Sequence, residues 1–298
     1  MGKWVKMRSQ KGIWVKRLIS GLFVAACLAW AAGPDLGEAR RLYNLTEFHQ
    51  SLEILRTIGP KDATVWELTG RNYYGLGDFK KATEALDKAA ALAPGESRVQ
   101  LWLGRAYGRR AETSSMITAP GYAGRARQAF EKAVELNPAN LDAQSDLLEY
   151  YLEAPGFLGG GLDKASATAT RIARISPAEG YWAQAKLAEK RKEFASAEAH
   201  LRQAVELAPL QVGRFIDLAR LFTKLGRYQE ADLSLAKADQ VAPNSAKLMF
   251  AKADIYIKSK RHLSEARALL KRYLTCSLTP EDPPRSEAEK LLKQVQGS

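Results

Sequence analysis

Histidine and cysteine, the side chains most often used for metal binding and nucleophilic catalysis, are sparse in this sequence. None of the three histidines, His49, His200 and His262, has an acidic or cysteine neighbour at the spacing of a metal site. Cys276 has no histidine near it in sequence that would activate its thiol. We therefore predict no catalytic residue, no metal and no cofactor, and we expect a protein that is not an enzyme.

A glycine-rich stretch between Gly156 and Gly161 is the one segment that suggests a phosphate-binding loop. No strand is predicted before it, and Leu162 and Asp163 separate the last glycine from Lys164, so the spacing of a P-loop is not met. We interpret these glycines as turn residues, which adopt positive φ without steric cost.

The rest of the chain has the spacing of amphipathic helices. At 298 residues, 46% of them hydrophobic, it is long enough to bury a substantial core. Between Trp66 and Pro94 the pattern predicts two helices joined by a tight turn at residues 76–78. Its members are Trp66, Gly70 and Tyr73 in the first half and Ala82, Leu86 and Ala89 in the second. Small residues such as Gly70 and Ala82 allow close approach of two helix axes.

This stretch resembles a tetratricopeptide (TPR) repeat, a 34-residue pattern of a large residue, a glycine, an aromatic residue, two spaced alanines and a terminal proline. Helix-ending prolines recur at Pro94, Pro138, Pro177, Pro209 and Pro243. The resemblance covers roughly residues 35–280. It implies an all-α, right-handed superhelical α–α solenoid of about seven TPR-like helix pairs, with a capping helix in residues 281–298. The expected units lie near 35–62, 63–96, 97–140, 141–177, 178–211, 212–245 and 246–280.

Two consecutive units carry extra residues between their helices. The third has about ten, including residues 119–122, and the fourth has about five, including residues 154–158. Insertions at equivalent turns of adjacent units project from the same edge of a solenoid. We hypothesise a lip bearing Tyr122 and Phe157 that packs against a partner or against itself; the alternative is that each aromatic side chain only covers its own repeat.

The resemblance also implies binding of other proteins or peptides along a concave face lined by the first helix of each pair. The positions similar to such groove sites are Glu67, Arg71, Arg105, Trp182, Lys186 and Arg220. The Lys-x-x-x-Asn pairing with which some family members grip a C-terminal carboxylate is absent, so that activity is not expected here. Arg71 and Arg105 occupy the same position of consecutive units, which predicts either a bidentate site for an acidic side chain or two solvated guanidinium groups.

The N-terminus has the composition of an export signal. Residues 1–17 are basic, and residues 18–33 are apolar and uncharged, with small residues at Ala29 and Ala31. We predict a bacterial protein that is exported to the periplasm, with cleavage after Ala31. An uncleaved membrane anchor ranks second because about 16 apolar residues fall just short of a spanning helix. Lipidation at Cys27 ranks third.

The charge of the chain does not indicate nucleic-acid binding. Six basic residues and no acidic residue occur among residues 1–31, so half of the formal net charge of +12 belongs to that segment. We therefore predict a non-enzymatic interaction scaffold or adaptor of the bacterial cell envelope that binds proteins or peptides. The alternative is an accessory subunit of an envelope assembly, polysaccharide export or secretion system that contacts a non-protein ligand.

Overall fold

The computed structural model describes residues 35–295, and within that range the chain consists of α-helices, turns and one short 3₁₀ segment at Gly156–Leu158. The helices are α1 (Leu36–Asn44), α2 (Phe48–Thr57), α3 (Ala63–Gly75), α4 (Phe79–Leu92), α5 (Ser97–Glu112), α6 (Ala119–Leu136), α7 (Leu141–Glu153), α8 (Leu162–Ile175), α9 (Pro177–Lys190), α10 (Phe194–Leu207), α11 (Val212–Lys224), α12 (Tyr228–Val241), α13 (Ala246–Lys258), α14 (Leu263–Thr275) and α15 (Arg285–Gln294). The segment for which export, anchoring or lipidation at Cys27 is predicted lies outside the described residues. No helix in residues 35–295 has the length and apolar character needed to cross a bilayer.

Capping side chains and left-handed turn residues mark where helices begin and where the chain turns. Asp62 and Asp78 cap α3 and α4 by accepting hydrogen bonds from backbone N–H groups three residues later, at 2.9 and 3.1 Å. In five of the pairs, the turn between the two helices contains a residue in the left-handed region with φ between 54° and 75°, and the turn of the last pair holds a second one, His262, at 48°. The five residues in the first range are Thr46, Gly77, Lys192, Gly226 and Lys260. Glycine adopts this conformation freely, whereas the other side chains are strained in it.

Consecutive helices pack as antiparallel pairs, and the second helix of each pair packs against the first helix of the next. This arrangement confirms the predicted all-α solenoid of seven helix pairs with a C-terminal capping helix. Small residues allow the close approach within pairs: a Cβ atom on Gly70 would lie 2.5 Å from Leu86 Cγ, and one on Gly104 would lie 2.5 Å from Phe130 Cδ1. One continuous core runs from Ala82 to Val295, and a smaller core holds the first pair against α3.

The first helices form the inner layer of the array. In most steps along the described chain, the first helix of one pair contacts the first helix of the next, whereas second helices of neighbouring pairs do not come as close. Because the inner layer of a curved stack has the shorter circumference, the first helices α3, α5, α7, α9 and α11 line the concave face.

The extra residues of the third pair are helical, and the prediction of an inserted loop at residues 119–122 is wrong. α5 has 16 residues and α6 has 18, and only residues 113–118 connect them. α6 begins at Ala119 and has Pro120 in its first turn. Proline is tolerated there because the backbone N–H groups of the first turn have no partner within the helix, so the N–H that proline lacks is not missed. In the fourth pair, residues 154–161 do form a loop. Gly159 and Gly161 have φ values of 86° and 148°, which confirms their interpretation as turn residues.

The two ends of the array contact each other. The capping helix α15 packs on α13 and α14, and its side chains also reach the first and third pairs. Arg285 donates from Nη1 to Thr46 Oγ1 at 3.2 Å, and Arg109 Nη2 lies 2.9 Å from Glu287 Oε1. These contacts join residues separated by 239 and 178 positions in the sequence.

Candidate functional site

The inner face of α7 carries a row of four carboxylates, which we call the acidic stripe: Asp142, Asp146, Glu149 and Glu153. Their spacing of four, three and four residues places them on one side of the helix. The Asp142 side chain is 72% exposed, and that of Asp146 is 23% exposed. The stripe is therefore partly enclosed at Asp146 and solvated at both of its ends, since the Glu153 side chain is 78% exposed.

Two neighbouring first helices supply cations to parts of this stripe. Arg105 on α5 lies with Nε 2.5 Å from Asp146 Oδ2 and with Nη2 3.6 Å from Asp142 Oδ2. Lys190 on α9 lies 3.3 Å from Glu153. Burial raises the pKa of Asp146 more than its contact with Arg105 lowers it. The ion pairs link consecutive units across the concave face.

Glu149 is the member of the stripe without an ion pair within 4 Å in the part of the chain described. It is exposed to solvent, yet enough protein surrounds its carboxylate for desolvation to raise its pKa. Lys186 attracts the carboxylate and opposes the rise, whereas Asp146, Asp217 and Glu153 repel it and add to the rise. Carboxylates from α7 and α11 thus converge around Glu149, and of these Glu149 alone has no cation within ion-pair distance among the described residues.

The two arginines predicted to form a bidentate site are both engaged by the chain itself. The Arg71 guanidinium packs on the rings of Tyr43 and Trp102, at 4.7 and 4.6 Å from their centroids, and donates from Nε to Tyr43 Oη at 3.2 Å. Arg105 packs on the same Trp102 ring at 5.1 Å while it pairs with Asp146. This arrangement differs from the predicted site, because the acidic side chains that Arg105 binds come from the next first helix.

Glu67 is only 3% exposed, and its carboxylate forms ion pairs with two arginines. Its carboxylate lies 2.8 Å from Arg98 Nη2 and 3.4 Å from Arg71 Nη1. A cavity of about 220 Å³ opens beside it, with Arg40 on its rim. The contacts assign Glu67 to holding α3 and α5 together at this rim.

The remaining groove candidates differ in accessibility. Trp182 is 6% exposed and is covered by Arg214, whose guanidinium lies 4.9 Å from its ring centroid. Arg214 is in turn held by Glu179 at 2.7 Å. Lys186 is half-buried near Glu149, and Arg220 is half-exposed with Asp217 at 3.8 Å. Lys186 and Arg220 therefore remain within reach of a bound segment, and Trp182 does not.

The two aromatic residues of the predicted lip have different surroundings. Tyr122 stacks on Tyr107, with centroids 6.2 Å apart and planes at 21°, and Arg110 covers it at 4.2 Å. Phe157 is 82% exposed at the tip of its loop. Loop residue Gly159 lies against Arg127 of α6, so the fourth-pair loop does rest on the third pair.

Within residues 35–295, no group of histidine, cysteine and acidic side chains has the arrangement of a metal site. The acidic stripe was not among the residues singled out from the sequence. Its i, i+4, i+7, i+11 spacing is nevertheless readable within the segment from Leu141 to Glu153, so helical periodicity applied to charge would have found it.

Comparison with known proteins agrees with this geometry. Two profiles described as tetratricopeptide repeat match residues 63–96 and 216–283. A tetratricopeptide repeat protein from Parabacteroides merdae has a similar structure, with a TM-score of 0.57 at 13% identity, over 87% of this chain and 96% of that one. A thermophilic TPR protein from Thermus thermophilus gives a TM-score of 0.50 at 22% identity, over 66% of this chain and 97% of that one. The match to the APC/C hetero-tetramer Cut9–Hcn1 has a TM-score of 0.51 at 17% identity, over 87% of this chain and 48% of that one. No curated protein matches the sequence. At these identities, the likeness to solved structures concerns the fold.

Proposed function

Since this chain is a tetratricopeptide repeat protein, we propose that it is a non-catalytic interaction scaffold whose concave face binds an extended, basic segment of a partner protein. The observation that carries the proposal is the acidic stripe of α7, in which Glu149 has carboxylate neighbours on two helices and no ion pair of its own. A lysine or arginine of a partner placed at Glu149 would replace repulsion between carboxylates by attraction.

The geometry of the stripe defines the segment that fits it. From Asp142 to Glu153 the helix rises about 16 Å, which corresponds to about five residues of an extended chain. Successive carboxylates are one helical turn apart, about 5.4 Å, and alternate residues of an extended segment are about 6.6 Å apart on one side. A five-residue segment with a basic residue at every second position therefore places three cations along the four carboxylates of the stripe.

The concave aromatic side chains support a protein partner over a sugar. A saccharide site offers an aromatic face for stacking, but Tyr43 and Trp102 are covered by Arg71, and Trp182 is buried under Arg214. A concave face that presents charged groups and no open aromatic ring favours the interaction scaffold over the accessory subunit that contacts a non-protein ligand.

We also propose that the protein is an adaptor of the bacterial cell envelope. It is exported and acts either in the periplasm or while held at the membrane. This proposal is supported by the sequence of residues 1–31, a basic region followed by an apolar run with small residues at Ala29 and Ala31. Mass measurement of the N-terminus of protein purified from cells distinguishes cleavage after Ala31 from retention and from lipidation at Cys27.

The binding proposal is tested by fluorescence anisotropy with a labelled peptide that carries lysine at every second position. We expect binding that weakens as salt is raised, and a loss of about tenfold in affinity, equivalent to about 1.4 kcal/mol, on Glu149→Lys. Glu206→Lys, on a second helix, adds the same charge elsewhere and serves as the matched control. A peptide with the same lysines in one block tests the spacing. Equal affinities for the two peptides, or equal effects of the two variants, would contradict the proposal.

A further inference from the structure

A cavity of about 160 Å³ lies between α2, α3 and α4, and no residue of the acidic stripe lines it. Its floor is apolar, because Leu52, Leu55 and Ala85 are buried there. The half-buried rings of Trp66 and Tyr73 form a wall. The volume is close to that of cavities that hold a benzene ring, about 150 Å³.

The rim of this cavity, which we call the Trp66 cavity, is strongly cationic. Arg56, Lys61, Lys81 and Lys88 line it together with a single acidic residue, Glu84. Arg56 and Lys81 each have a carboxylate partner three residues earlier in the sequence, Glu53 at 2.5 Å and Asp78 at 2.8 Å.

Lys61 and Lys88 have no carboxylate partner within 4 Å among residues 35–295. Their ammonium groups lie 4.8 and 4.1 Å from the ring centroid of Trp66. Two ammonium groups are therefore held near the indole ring by cation–π contacts, and neither forms an ion pair with a carboxylate of the described residues.

We propose that the Trp66 cavity binds an organic anion with a planar apolar body, such as an aromatic carboxylate or an aromatic phosphate. The body would lie on the apolar floor beside the Trp66 ring, and the oxyanion would accept hydrogen bonds from Lys61 and Lys88. Each ammonium offers three donors, so contact with the indole ring leaves donors available for an anion. The site is separate from the concave face, so the binding of a basic partner segment and the binding of an anion here can fail independently.

The proposed ligand combines a planar ring with an anionic group, so probes that have both features can be compared with probes that have only one. The test uses the purified full-length chain. Ligand-observed saturation-transfer NMR is carried out with benzoate and with phenyl phosphate, which separate the carboxylate from the phosphate source. Benzamide has the same shape as benzoate without the charge. Inorganic phosphate has the charge without the ring and, because it has no carbon-bound proton to observe, it is tested as a competitor of the phenyl phosphate signal. We expect benzoate or phenyl phosphate to bind at least about fivefold more tightly than benzamide and inorganic phosphate.

Variants then locate the binding site. The double substitution Lys61→Gln/Lys88→Gln is expected to weaken binding of the aromatic anions at least about fivefold. Lys80→Gln, on the exposed side of α4 and outside the cavity, is expected to leave it unchanged. The proposal is overturned if neither aromatic anion binds, if benzamide or inorganic phosphate binds as tightly as they do, or if the double variant binds them like the unaltered chain.

Discussion

Two glycines in one helix allow the contribution of close helix packing to be measured. Gly104 and Gly108 both lie inside α5, one turn apart. A Cβ atom added at Gly104 would lie 2.5 and 2.6 Å from Cδ1 and Cε1 of Phe130, a ring that is buried against the core. At Gly108, the same atom would have no heavy atom within 4 Å beyond its own helical surroundings.

The two alanine substitutions should therefore have different effects on stability. Alanine is favoured over glycine in a helix interior by about 1 kcal/mol, so Gly108→Ala should raise the free energy of unfolding by about that amount. Gly104→Ala gains the same helix propensity but forces Phe130 to move, at a cost of about 1–3 kcal/mol for overpacking. Its net effect is between neutral and about 2 kcal/mol destabilising, and the difference between the variants isolates the packing cost.

The measurement is urea unfolding followed by circular dichroism, with thermal melting as a second assay. For a chain of this size, 1 kcal/mol corresponds to about 2–4 °C in Tm. The two variants should differ by at least about 2 °C, with Gly108→Ala the more stable. If Gly104→Ala stabilises the protein as much as Gly108→Ala does, the inference that close approach of α5 and α6 requires glycine is refuted.

Three further predictions concern charge, backbone strain and the exposed loop. Because the pKa of Glu149 is raised in the folded state, its ionisation costs stability as pH rises through that pKa. Glu149→Gln should therefore unfold at a higher temperature than the parent chain at pH 7 and at the same temperature at pH 3. A difference in Tm that does not depend on pH would contradict this. Lys192→Gly, at φ 64°, should stabilise by about 0.5–1 kcal/mol in urea unfolding, whereas Gln184→Gly inside α9 should destabilise by about 1 kcal/mol. A loss of stability in both would show that φ is not the cause. Phe157→Ser should leave Tm unchanged because the ring is exposed, and a reduced yield of captured partner protein would assign the lip to binding; a fall in Tm would instead assign Phe157 to its own repeat.

The helix pairs were predictable because their determinants are local. Gly70 must face Leu86 across one turn, and the residues that specify this contact lie within a single unit. The start of α6 was missed because Pro120 and Gly121 together are typical of a loop, although proline is well tolerated in the first turn of a helix. The packing of Tyr122 on Tyr107 then keeps this first turn on α5.

The candidate site was less predictable because its contacts cross between units. Arg105 binds Asp146, 41 residues further along the chain, and their meeting depends on the rotation that relates α5 to α7. A motif for one unit has no information about that rotation. The same reason explains Arg71, whose guanidinium lies between Tyr43 of the preceding unit and Trp102 of the following one.

Contact between the first and last helices changes how such an array unfolds. In an open stack, each repeat senses only its neighbours, and the terminal repeats fray first. Here Arg285 bonded to Thr46, and Glu287 bonded to Arg109, tie the last helix to the first and third pairs. Fraying at either end therefore breaks contacts at the other end as well, which makes the loss of structure more nearly all-or-none. Since these contacts close loops of roughly two hundred residues, they carry a large entropic cost of closure and belong to the last steps of folding.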